Sequence, residues 1–203
     1  MDRRQLLTQA MAFGAAGGAL LMRSGAAEAQ SNQAYLTRIT NYLNGVTSMA
    51  GGFIQVGPDG DLSEGAFYMR RPGRVRFEYE PPNPTLIVAD GFWVGIYDTV
   101  DNTLDRFPLS ETPLDLLLRD RVDLRNENSI QKIETTNSQL RVQAVDPDAP
   151  EQGSITMVFN NNPLELTQWI VIDGQGLATT VALTEIKRNV KLDPKLFFIE
   201  DPV

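Results

Sequence analysis

Short runs of alternating apolar and polar residues fill the chain from Met49 onward, and turn residues punctuate them. The pattern is clearest between Leu62 and Pro84. Residues 66–70 and 75–79 are strand-like runs joined at Arg71-Pro72-Gly73. In the second run Val75, Phe77 and Tyr79 point one way, and Arg74, Arg76, Glu78 and Glu80 the other. That period of two describes a strand with one apolar and one wet face. Pro72 fixes φ and Gly73 tolerates positive φ, so a type II turn is expected. Pro81-Pro82-Asn83-Pro84 stops the second strand, because proline cannot donate to a ladder.

The same rhythm predicts strands at 49–56, 85–89, 92–97, 103–107, 130–134, 139–145, 154–159, 163–172 and 176–187. Gly51-Gly52 marks a bulge or bend in the first of these. A further short strand is expected at 196–199. The carboxylates of Asp59, Asp61 and Glu64 faintly suggest a calcium loop, but the twelve-residue ligand spacing is missing and a solvated turn fits better. Two segments follow a helical period instead. Residues 31–45 carry Leu36, Ile39 and Leu43 at spacings of three and four, with Ser31 as cap and Gly45 beyond the end. A second helix starts at Ser110-Glu111-Thr112-Pro113, continues through Leu114, Leu116, Leu117 and Leu118, and ends at Arg119. About eleven strands and two helices predict one mostly antiparallel sheet with the helices on one side.

The first residues follow neither pattern. Asp2-Arg3-Arg4 precedes an apolar, Gly- and Ala-rich run from Leu6 to Met22, and Ala27-Glu28-Ala29 has the A-x-A form of a signal-peptidase site. Residues 1–29 are therefore expected to be a cleaved signal peptide, and 30–203 a single domain outside the cytoplasm. The short, small-residue run suits a cleaved signal better than a membrane anchor. Arg3-Arg4 leaves the Sec and twin-arginine routes both open. Three cations (Arg3, Arg4, Arg23) and two anions (Asp2, Glu28) leave with the signal, taking the net charge from −8 to −9.

Composition removes many functions. The 203 residues include neither cysteine nor histidine. That rules out Ser-His-Asp and Cys-His catalysis, disulfides, and zinc or haem sites built on imidazole or thiolate. Acidic balance without a basic stripe argues against nucleic acid. Carboxylate-only chemistry such as glycoside hydrolysis stays open. Its candidates, Glu78 and Glu80, share the exposed face of one strand, the usual place for solvated charge.

Three segments in order carry a resemblance: the run from Asp59 through Leu62-Ser63-Glu64-Gly65, Phe67-Tyr68-Met69-Arg70-Arg71-Pro72-Gly73 and Val75-Arg76-Phe77-Glu78-Tyr79; then Ile87-Val88-Ala89-Asp90-Gly91 with Trp93-Val94-Gly95-Ile96-Tyr97-Asp98; then Thr112-Pro113-Leu114-Asp115-Leu116-Leu117-Leu118. Together they resemble the periplasmic outer-membrane lipoprotein carrier proteins, the LolA family, from about Ala34 to the C-terminus. The resemblance implies an incomplete, strongly curved antiparallel β-barrel with helices forming a lid over an apolar concavity. It also implies a non-enzymatic periplasmic chaperone without a cofactor. Such a carrier takes lipoproteins released by an inner-membrane ABC transporter, shelters their acyl chains, and delivers them to an outer-membrane receptor where one exists. A monomer is expected. The alternative is a lipid- or lipoprotein-sensing module of the same fold.

Acyl chains need apolar lining and no reactive group. Candidate lining residues are Phe53, Phe67, Met69, Val75, Phe77, Leu86, Val88, Trp93, Ile96, Met157 and Trp169, with Leu114, Leu117 and Leu118 of the second helix; for each, ordinary core is an equal alternative. Leu36, Ile39 and Leu43 would form the first lid helix. The family's Arg-Pro hairpin arginine, which bonds lid backbone in the closed state, falls on Arg71, with Arg70 beside it as a second candidate. Val75 and Phe77 stand where enteric members carry a bulky aromatic and a tryptophan, so their rim contacts are not carried over.

Overall fold

The alternating segments pair with their neighbours in a single antiparallel sheet. The computed structural model describes residues 18–125 and 129–200. The charged start of the expected signal peptide lies outside them. Eleven strands follow in order: β1 (Ser48–Val56), β2 (Leu62–Arg70), β3 (Arg74–Tyr79), β4 (Thr85–Asp90), β5 (Trp93–Asp98), β6 (Thr103–Pro108), β7 (Ile130–Thr135), β8 (Gln139–Val145), β9 (Gly153–Asn161), β10 (Leu164–Asp173) and β11 (Ala178–Arg188). Two meanders, β1–β6 and β7–β11, join where β1 pairs with β11, giving the order β6-β5-β4-β3-β2-β1-β11-β10-β9-β8-β7.

The expected barrel is not there. The sheet is open, neither closed on itself nor strongly curled, and β6 and β7 are its two edges. A sheet can bury its apolar face against itself or against helices. Here helices cover it: Leu36, Ile39 and Leu43 of α1 (Gly18–Gly45) and Leu116, Leu117 and Leu118 of α2 (Asp115–Leu118) join one core with Phe53, Phe67, Phe77, Met157 and Trp169. We call this covered side the inner face. Six such side chains bury roughly 9–18 kcal/mol of gross apolar transfer energy. The edges also resist pairing: β6 carries Asp105, Arg106 and Pro108, and β7 Lys132 and Glu134.

Three local expectations change. The first helix begins at Gly18 rather than Ser31, so it runs through the expected cleavage point. The second is broken into a 3-10 turn (Leu109–Glu111) and the single turn of α2. Thr112 between them is extended, with φ −119 and ψ 142. It precedes Pro113, and clash with the proline ring keeps that position out of the helical region. The strand expected at 196–199 is instead a 3-10 turn, Pro194–Phe197, capped by the Asp193 carboxylate accepting from Lys195 N. The β2–β3 loop holds three residues between the paired Arg70 and Arg74; its Arg71–Pro72 peptide is cis and Gly73 has the positive φ expected of it.

Two glycines of the inner face sit opposite phenylalanines: Gly51 pairs with Phe67, and Gly65 with Phe53. The rings lie over them, within about 3 Å of where a Cβ would stand. This covering compensates for the side chain that glycine lacks. The bulge expected at Gly51-Gly52 appears as a register shift against β11 between Ala50 and Gly52.

Tyr79 closes this aromatic cluster. Its ring lies 5.0 Å from that of Phe53, and its hydroxyl donates to Gln55 Oε1 at 2.7 Å. Burial pushes its hydroxyl pKa up to about 12. The unfolded chain loses that proton near pH 10, so the folded state holds more protons between the two values and stability falls as pH rises through them. Tyr79→Phe should flatten that part of the stability–pH curve, measured by urea unfolding at stepped alkaline pH.

Candidate functional site

Strand register decides which candidates share the inner face. Met69 pairs with Val75 and Phe67 with Phe77. Phe53 lies opposite Leu183, and Trp169 opposite both Val181 and Met157. All of these are buried. Ring contacts knit the rows together. Phe77 meets Phe53 edge-on at 5.1 Å, stacks on Phe67 at 6.4 Å, and reaches Trp169 at 6.2 Å, although β3 and β10 are four places apart in the sheet. Ile96 follows Ile87 onto the same face.

Leu86 and Val88 do not belong to that face. They pair with Glu78 and Arg76, the wet side of β3. Val88 is nevertheless fully buried, because the C-terminal segment crosses the outer face there: Arg76 Nη1 donates to Leu196 O at 3.3 Å, and Phe197 is buried. The inner-face positions of β4 are Ile87 and Ala89. An all-apolar strand has no readable period, so the sequence offered no signal to choose between the two sets. Trp93 stands at the start of β5, half exposed. Of the helix candidates, Leu36, Ile39, Leu43, Leu117 and Leu118 are buried and Leu114 is half-buried.

The helices are tied down at their C-terminal ends, where backbone carbonyls lack partners within the helix. Arg71 occupies this point. Its Nη1 donates to Leu43 O, in the last turn of α1, and its Nε and Nη2 both donate to Arg119 O, just past α2; the Nε bond is 2.9 Å. Beside it, Gly73 N donates to Leu118 O at 2.9 Å. A cation at two helix C-termini is also favoured by the helix dipoles. Burial pulls the Arg71 pKa down and the nearby Asp120 opposes that shift; the group stays charged at neutral pH. Arg70 is exposed at the end of β2 and takes no part in these bonds.

Other bonds make the helix layer one piece. Asn44 donates to Val122 O at 2.8 Å and accepts from Val122 N at 3.0 Å. Thr40 Oγ1 accepts from Leu124 N at 3.3 Å. Separate anchors reach the sheet farther along α1. Arg38 donates to Asn161 Oδ1 and O at 3.0 and 2.8 Å, and the Tyr42 hydroxyl accepts from Leu166 N at 3.1 Å. None of these polar partners was apparent in the sequence, because each lies many tens of residues away.

The inner face is thus apolar, closed over, and without a hydrolytic constellation. Among the described residues no group of three or more acidic side chains is placed to hold a metal ion. Glu78 lies beside Arg76, accepting from its Nε at 2.6 Å, as a structural ion pair. This defines the class: an open antiparallel sheet whose apolar face is roofed by helices.

Comparison with known proteins gives the family. The model for the outer membrane lipoprotein carrier protein LolA matches residues 44–200. An outer-membrane lipoprotein carrier protein of Chromohalobacter salexigens is 30% identical over 196 residues, covering 91% of this chain and 90% of its own. An uncharacterized protein of Rickettsia prowazekii is 23% identical over 172 residues, covering 85% and 79%. A solved LolA superfamily protein of Nitrosomonas europaea, 12% identical, covers 80% of this chain and 97% of its own with a TM-score of 0.41. The chain belongs to the LolA family of outer-membrane lipoprotein carriers; it is a periplasmic lipoprotein chaperone.

Gly73 tests how tightly the hairpin is docked. Its φ is +71, and an added Cβ would stand 2.6 Å from Gly91 Cα. Gly73→Ala should cost roughly 1–3 kcal/mol, read as a lower urea midpoint with unchanged slope.

Proposed function

We propose that the acyl chains of a lipoprotein lodge between the inner face and the helix layer, and that Arg71 holds the layer shut until they enter. One observation carries this reading: an apolar sheet face is covered by apolar helices whose C-terminal ends are both fastened to one hairpin. The packed core leaves the helix side chains themselves in the acyl position. Leu36, Ile39, Leu43 and Leu116–Leu118 must therefore withdraw from Phe53, Phe67, Phe77, Met157 and Trp169 as chains come in.

Magnitudes favour exchange over simple opening. Lifting six apolar side chains costs about 9–18 kcal/mol, while an acyl chain of ~15 methylenes recovers ~12 kcal/mol at about 0.8 kcal/mol each. One chain nearly balances the exposed helix face, and a second exceeds it. Without cargo the layer stays down. The Arg71 bonds add to that bias, because freeing them strands a buried cation and helix carbonyls.

The family implies the transfer partners: an inner-membrane ABC transporter that supplies the lipoprotein, and an outer-membrane receptor where one exists. Signal cleavage after Ala29 would leave Ser31 at the start of the shortened helix as its cap. N-terminal sequencing of the periplasmic protein should begin at Gln30; a chain that retains Gly18 would refute that cleavage.

Spheroplasts bearing a radiolabelled outer-membrane lipoprotein should release it into solution when the purified protein is added. The product should be a one-to-one complex. Failure to release would sink the carrier reading for this chain. Arg71→Leu should keep its fold, load cargo, and hand it on at least roughly tenfold more slowly, since a cargo-filled open state no longer has a competing closed one. Normal hand-over by that variant would remove Arg71 from the mechanism.

A further inference from the structure

Phe92 and Trp93 stand in water at the tip of the β4–β5 turn, 80% and 48% exposed. The turn holds them there. Asp90 Oδ1 accepts from Phe92 N at 2.8 Å and from Trp93 N at 2.9 Å, so this carboxylate is committed to the tip. Strand register places the tip on a longer edge. Arg74 pairs with Asp90, Arg70 with both Arg74 and Ser48, and Met49 with Arg188, so the neighbouring ends of β5, β4, β3, β2, β1 and β11 lie in sequence.

That edge carries cations. Arg70, Lys187 and Lys191 are exposed and Arg74 is half exposed. Arg188 is already engaged, 3.7 Å from Glu165 and over the Tyr42 ring. Exposed carboxylates lie in neighbouring segments too: Glu111 in the turn that bonds Phe92 O, Asp120 past α2 and Glu185 on β11. The opposite ends of the same strands differ. Their turns carry Asp59, Asp61, Glu80, Asp98, Asp101 and Asp173, and neither lysine nor arginine. A chain of net charge −8 is therefore polarised along its strands.

We infer that the Phe92–Trp93 edge docks on an anionic lipid surface. Aromatic rings favour the water–lipid boundary, and nearby lysines and arginines add attraction to anionic headgroups. An anionic plane repels the acidic end and so turns the basic edge toward itself. The cations are spread over several strand ends around one projecting apolar tip, which suits a plane of diffuse charge. The edge is also joined to the fastening of the helix layer. Phe92 O accepts from Leu109 N at 2.9 Å, at the start of the segment leading to α2, and Gly91 packs against Gly73. Contact with a membrane would thus occur beside the point where cargo is held in, which rests on the carrier reading for its purpose and not for its chemistry.

Vesicle binding by the mature protein tests this. Vesicles of phosphatidylethanolamine with phosphatidylglycerol are compared with phosphatidylcholine vesicles by co-sedimentation. The chain has two tryptophans, and Trp169 is buried in the core. Quenching by brominated phospholipid that disappears in Trp93→Phe therefore reports the tip. We expect binding to the anionic vesicles that weakens with salt, and quenching of Trp93. Phe92→Ser and Arg70→Glu should each lower affinity by roughly fivefold with unchanged circular dichroism. Equal binding to both vesicle types, no Trp93 quenching, or undiminished binding of Phe92→Ser would overturn the docking edge. So would capture of a protein at this edge without vesicle binding. No lipoprotein is present in the assay, so its failure leaves release from spheroplasts unaffected.

Discussion

Two helix ends and one hairpin meet at a single guanidinium, and the cover over the apolar face is fastened there. Helices end with carbonyls that need donors, and here the donors come from the sheet rather than from the next turn of chain. Arg71 bonds Leu43 O and Arg119 O, and Gly73 N bonds Leu118 O. The loop between β2 and β3 therefore fastens the C-terminal ends of both helices. Tyr42, Arg38 and Asn44 hold α1 to the sheet and to residues 122–124, so the cover is anchored along its length and fastened at its end.

The open sheet changes how such a carrier works. A barrel would present a preformed hollow. An open sheet roofed by helices presents a filled interface; under the proposal above, its leucines occupy the space that acyl chains would take. Under that proposal, opening and loading are one exchange of apolar contacts, with a small net difference between larger opposing terms. That arrangement protects the empty protein, since a bare apolar sheet face of this size would aggregate or associate. It also leaves β6 and β7 as edges, which charge and proline keep from pairing.

Much of this was legible in the chain. Alternation and turn residues located eleven strands within a few residues, because most have one wet face and turn residues bound the rest. The inner-face positions of β2 and β3 followed from Phe67, Met69, Val75 and Phe77. β4 was not legible: TLIVA is apolar on both sides because the C-terminal segment covers its outer face, so Leu86 and Val88 were placed where Ile87 and Ala89 belong. Sheet closure was not legible either. Local pattern sets strands and faces, but whether β6 reaches β7 depends on what else covers the face. The second helix was overextended because the restriction that Pro113 puts on Thr112 was outweighed by its leucines. Arg71 was singled out by family resemblance; its carbonyl partners are a matter of tertiary placement.

Trp169 lies at the centre of the inner face and offers the most direct test of where cargo sits. In a Trp93→Phe background it is the sole tryptophan. A lipoprotein whose acyl chains carry bromine should quench its fluorescence on forming the one-to-one complex, whereas the same lipoprotein with unlabelled chains should not. Formation of that complex with Trp169 emission unchanged would place the acyl chains elsewhere and contradict the account.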